Sequence, residues 1–184
     1  FTSLEAYYRE VAMLTPCLVS TLHSAPRFFN QSFQYLHGFA DLLIIDEASQ
    51  VLPELALPVI ALAKKALIVG DSKQLPPIEN ISTGQDLLSR EQSGLSKRVD
   101  AIESLHISAQ SSVMKLANRL TRYVDQQGLP FMLQEHFRCH PQIARSFNHV
   151  YYENKLIIRS KEETIADLPP LAFVHVEGHC EPSG

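Results

Sequence analysis

Two short apolar runs stand out along the chain, at 42–45 and 66–69. Asp41 and Asp46 bracket the first, and Gly70-Asp71 closes the second. Unbroken apolar runs of this length suit strands of a parallel sheet covered on both faces. Between them Leu52, Leu55, Val59 and Leu62 recur at helical spacing, a stripe that predicts a helix over 52–65. Pro53 fits its first turn, whereas Pro58 removes an interior hydrogen bond and should kink it. Strand, helix, strand is a βαβ crossover. Residues 16–21, 131–134 and 171–176 read as further strands. A helix is predicted over 109–126, with Val113, Leu116, Leu120 and Val124 on one stripe, stopped by Gly128-Leu129-Pro130. Pro141 opens another, with Ile143, Phe147, Val150 and Tyr151 on its buried side. The polar stretch 79–107 reads as short helices and loops, and 159–170 as a loop or linker. The pattern is that of an α/β protein.

Composition adds limits. The 184 residues are 45% hydrophobic and 20% charged, enough apolar material for a core, and a net charge of −4 excludes a general basic coat. A local basic groove is compatible with that average. No apolar run reaches the length of a membrane span. Three widely spaced cysteines, Cys17, Cys139 and Cys180, make no disulfide framework and point to a reduced, intracellular setting, cytoplasmic or nuclear. A start at Phe1 and an end at Pro-Ser-Gly read as a piece of a longer protein.

Three clusters carry chemistry. The first is the run 42–45 followed by Asp46-Glu47-Ala48-Ser49-Gln50. A buried strand there delivers two carboxylates to its C-terminal edge, where open α/β sheets bind ligands. An apolar strand ending in Asp is the Walker B arrangement, in which Asp46 holds Mg²⁺. The second acid, Glu47, can take a proton from an attacking water. The plainer alternative is a strand capped by solvated acids. The second cluster, Gly70-Asp71-Ser72-Lys73-Gln74-Leu75-Pro76-Pro77, follows the next strand and opens at the same edge. Gln74 can read a terminal phosphate or orient a water there without adding charge; an ordinary surface turn is the alternative. The third runs from Gln134 to Pro141 around Arg138, a planar phosphate-binding fork, or else an arginine that is solvated or paired to Glu135. Cys139, His140, His175, His179 and Cys180 lack the paired spacing of a zinc site. Phe28, Phe29, Phe33 and Tyr35 read as core or interface in preference to a base-stacking platform.

In order, DEASQ, GDSKQLPP and EHFRCHPQIARSFNHVYY resemble motifs II, III and IV of superfamily 1 helicases, nearest to the nonsense-mediated-decay-helicase-like branch. Tyr151-Tyr152 and Lys155-Leu156 continue the likeness, which covers about 16–180. The resemblance implies a RecA-like P-loop NTPase fold, in part, with a mostly parallel sheet and helices on both faces. It implies ATP and Mg²⁺ as cofactors and nucleic acid, single-stranded or duplex, DNA or RNA, as partner. Asp46 and Glu47 would act on Mg²⁺ and water, and Arg138 would be an arginine finger. Gln74, with Gly70 and Asp71 in its loop, would contact the nucleotide, and Gln50 would join the relay to nucleic acid. Ser20, Thr21, Pro76 and Pro77 would approach the nucleic-acid strand.

The sequence also departs from the family. None of its seven glycines is followed by Lys, so no G-x-x-x-x-G-K-[ST] phosphate loop is present. In the family that loop precedes the DEAS box and would lie upstream of Phe1. The expectation is therefore a middle segment of a helicase: 1–135 from the first RecA-like domain and 136–184 from the start of the second. The stretch 79–107 is longer than the family spacing and reads as an insertion. Such a segment should lack ATPase activity by itself and should self-associate through uncovered sheet. The competing readings are a non-catalytic, helicase-derived interaction module and a P-loop ATPase without unwinding activity.

Overall fold

The computed structural model describes residues 4–31, 34–78, 82–94, 111–162 and 169–178. They fall into two compact units, 1–130 and 131–184. The first opens with helix α1 (Leu4–Leu14) and helix α2 (Ala25–Phe28), followed by the antiparallel pair β1 (Asn30–Gln31) and β2 (Gln34–Tyr35). The predicted crossover comes next: β3 (Leu43–Ile45), α3 (Pro53–Ile60) and β4 (Ala66–Ile68). β3 and β4 pair in parallel, Leu43 opposite Ala66, Ile44 opposite Leu67 and Ile45 opposite Ile68. A bridge between Ala40 and Ala63 begins the pairing below them. At that end Lys64 Nζ lies 2.6 Å from Asp41 Oδ1, and the ammonium holds the Asp41 carboxyl below its ordinary pKa. α4 (Thr83–Gln92) and α5 (Val113–Leu120) complete the unit.

Local chemistry explains several boundaries. Ser82 forms a capping box with Gln85, so α4 starts where its first amide donors find an oxygen. Ser112 caps α5 by accepting from Lys115 N at 3.2 Å. Pro58 remains inside α3; the Tyr35 hydroxyl donates to its carbonyl. The core forms where Ile45, Ala48, Ala56 and Val113 meet, with Leu43, Ile68 and Met114 packed around them. A second cluster joins Ala25, Val59 and Leu62. Both clusters draw on one face of the β3–β4 pair. On its other face Ile44 and Leu67 are 59% and 50% exposed. The expected cover on both faces is therefore found on one, because no described helix packs over Ile44 and Leu67.

The second unit holds β5 (Glu135–His136), α6 (Pro141–Tyr151) and β6 (Ile157–Ile158), with β5 and β6 parallel. Asn148 is buried on α6. Its amide donates to Leu156 O and accepts from Leu156 N, both at 3.0 Å, and so ties the helix to β6.

Other expectations are corrected. Residues 16–21, 131–134 and 171–176 form no strand and are largely exposed, although Gln134 O accepts from Ile157 N at 2.8 Å just ahead of the second unit's strand pair. The helix predicted over 109–126 spans only 113–120, because Thr121 turns to an extended backbone. That predicted over 52–65 spans 53–60. Much of the supposed insertion, along with Phe33, His179 and Cys180, lies outside the described residues. Helix α1 has no counterpart in the sequence reading.

Candidate nucleotide and nucleic-acid site

The parallel register brings the C-terminal ends of β3 and β4 to one edge. Val69 N donates to Ile45 O at 2.8 Å, and Ala48 N returns to Val69 O at 2.9 Å. Asp46 and Glu47 leave this edge from β3, and Gly70 and Asp71 leave it from β4. The Glu47 backbone is left-handed, φ 53° and ψ 36°, a conformation unfavourable for a residue with a side chain. That turn swings the chain into the single 3₁₀ turn Ala48–Gln50. It lets two successive residues, which would diverge on a regular strand, both stand exposed at the edge. Glu47 N also donates to Asp46 Oδ1 at 2.9 Å, which orients the first carboxylate.

Gly70 is fixed by sterics. A Cβ built there would lie 3.0 Å from both Ala48 N and Ser49 N. The two loops touch backbone to backbone, and only glycine permits that approach. Beyond it, Asp71 organises the second loop. Its Oδ1 accepts from Lys73 N at 2.9 Å, its carbonyl accepts from Gln74 N at 3.0 Å, and its Oδ2 accepts from Gln74 Nε2 at 3.3 Å. Gln74 is thereby held beside the 3₁₀ turn, where it lines a cavity of about 200 Å³ with Ser49, Ser72, Pro76, Ser112 and Lys115. Ser49 is buried, and its hydroxyl has no hydrogen-bond partner among the described residues. Val113 N donates to Val51 O at 2.9 Å and anchors the start of α5 to the same segment.

Gln50 and Pro76-Pro77 border a second, larger cavity of about 540 Å³, with His23 on its rim. Thr21 starts the turn leading to that histidine: its hydroxyl donates to Ser24 Oγ at 3.1 Å and accepts from Ser24 N at 3.3 Å. Ser20 donates to the Thr21 carbonyl and does not line the cavity.

In the second unit, Arg138 stands in a turn fastened on both sides by imidazoles. Cys139 N donates to His136 Nε2 at 3.0 Å, and Gln142 N donates to His140 Nδ1 at 3.3 Å, capping α6. Glu135 pairs with Arg159 at 3.1 Å, not with Arg138. The Arg138 guanidinium is exposed. Among the described residues no three His, Cys, Asp or Glu side chains gather as a metal cluster. Sequence reasoning passed over His23, Glu54, Ser112 and Lys115. Of these only Ser112 gave a signal, a serine three residues before a basic residue at the head of an apolar stripe.

A parallel pair carrying an acid pair, a close-approach glycine and a glutamine at its C-terminal edge is the arrangement of the P-loop nucleoside triphosphatase class. The comparisons agree. Residues 3–79 match a family model described as an AAA domain. The chain is 29% identical over 178 residues to the DNA replication ATP-dependent helicase/nuclease DNA2 of Gallus gallus, covering 96% of the chain and 14% of that protein. It is 28% identical over 156 residues to an uncharacterized ATP-dependent helicase of Mycoplasma genitalium, with 84% of the chain and 13% of the relative covered. It is 29% identical over 143 residues to the 5'-3' DNA helicase ZGRF1 of Mus musculus, covering 74% and 6%. The chain is thus similar to segments of helicases and spans a seventh or less of the length of these relatives. Among the described residues no helix is long and apolar enough to cross a membrane.

Proposed function

We propose that the protein carrying this segment is an ATP-dependent helicase of superfamily 1 that moves along nucleic acid. The observation that supports it most is the convergence of Asp46, Glu47 and the Gln74 loop at one strand edge. The finer fold reading is a partial RecA-like sheet, with 1–135 from the first such domain and 136–184 from the start of the second. The names of two relatives favour DNA as the strand and agree with an intracellular setting.

The donor set fits Mg²⁺-ATP. Asp46 is exposed, spends one oxygen on the Glu47 amide, and has hard oxygen ligand capacity left for Mg²⁺. When bound, Mg²⁺-ATP supplies the phosphoanhydride that is cleaved. Glu47 accepts the proton of the attacking water. Gln74, held by Asp71, contacts the terminal phosphate, with Gly70 allowing the loop its close approach. Gln50 links this edge to the nucleic acid that Ser20, Thr21, Pro76 and Pro77 approach. By the resemblance alone, Arg138 would be the arginine finger.

In the full-length protein Glu47→Gln should reduce ATP turnover by two or more orders of magnitude while ATP binding persists. Near-normal turnover in that variant removes Glu47 as the base. The isolated 184-residue chain, which lacks a phosphate loop, should show no hydrolysis in the same assay.

A further inference from the structure

The larger cavity of the first unit has a chemistry that the nucleotide site does not use. Its walls include Leu52, Leu55 and Ile78 beside the two prolines. Its polar groups are His23, Gln50 and Glu54, and among the described residues no lysine or arginine lines it. The side chains of these three polar residues form no hydrogen bond or ion pair with another described residue. A carboxylate without a neighbouring cation disfavours a phosphate. Apolar walls together with hydrogen-bonding groups suit a nucleobase, whose faces are apolar and whose edges are polar.

We propose that this cavity takes one base of a bound single strand, and that Glu54 selects a base bearing an exocyclic amino group. The proposal rests on the nucleic-acid reading above and adds a specificity to it. An ionised carboxylate is acceptor-only. Cytosine offers it the N4 amino donor, whereas thymine presents the O4 acceptor at the same place, and two acceptors repel. The two pyrimidines are alike in size, so comparing them isolates the edge contact from the stacking. In a homopolymer every register places the same base in the cavity.

The test is fluorescence anisotropy of the full-length protein with single-stranded oligo-dC and oligo-dT at one salt concentration. We expect dC to bind about fivefold or more tighter than dT. Glu54→Gln, whose carboxamide can both donate and accept, should bring the ratio close to one. Glu54 is exposed on α3, so the substitution leaves the core intact, and Glu54→Ala serves as a second variant. Equal affinities in the unaltered protein, a preference for dT, or a dC preference that survives both substitutions would each overturn the assignment while leaving nucleic-acid binding in place. Failure to bind either strand would instead refute the nucleic-acid reading, and this proposal with it.

Discussion

Gly70 shows how a single residue defines the site. Two backbone amide nitrogens, at Ala48 and Ser49, lie only 3.0 Å from where its Cβ would be. Neither can rotate aside as a side-chain end would, and Ala48 N is already engaged by Val69 O. Gly70→Ala should therefore separate the two loops and cost about 1–3 kcal/mol of stability, read as a lower urea midpoint of unfolding. An unchanged midpoint would show that the loops have slack. That the acid pair and the Gln74 loop leave one strand edge was legible in the sequence, because each follows an apolar run closed by an acid or a glycine. The left-handed Glu47, the orphan hydroxyl of Ser49 and the pairing of Glu135 with Arg159 were not. Those depend on backbone path and on partners distant in the chain.

Among the elements, β3, α3, β4 and α6 were readable because their apolar residues are concentrated and punctuated by acids, prolines or a cap. The missing strands share a cause. Residues 16–21 and 171–176 have strand-like composition, but a strand exists only if another backbone pairs with it, and composition cannot supply the neighbour. Helix α1 does carry an apolar stripe, Leu4, Tyr7, Tyr8, Val11 and Leu14 at helical spacing, which the sequence reading passed over. The α6–β6 connection depends on one side chain, since Asn148 meets both backbone groups of Leu156. Asn148→Ala should leave those groups without their partner and cost about 1–3 kcal/mol. Faster hydrogen exchange at the Leu156 amide is the readout. Exchange that stays as slow as in the unaltered protein would argue that β6 is held by its ladder to β5 alone.

For the molecule as a whole, the governing feature is a parallel pair packed on one side. Leu42, Ile44, Leu67 and Val69 present an apolar strip on the other, all of them at least 37% exposed. Strips of this kind favour association. The isolated chain should scatter light as a species larger than a monomer, and Ile44→Lys should shift it toward the monomer. A monodisperse monomer for the unaltered chain would refute this. The strand edge proposed to bind nucleotide sits on this half-covered sheet, and the left-handed Glu47 is its least comfortable torsion. Glycine at position 47 would relax the left-handed turn and raise the thermal resilience of the entire protein, by up to about 1 kcal/mol. Under the proposed role of Glu47, heat tolerance and turnover make opposite demands on this position, since glycine would supply the first and remove the second.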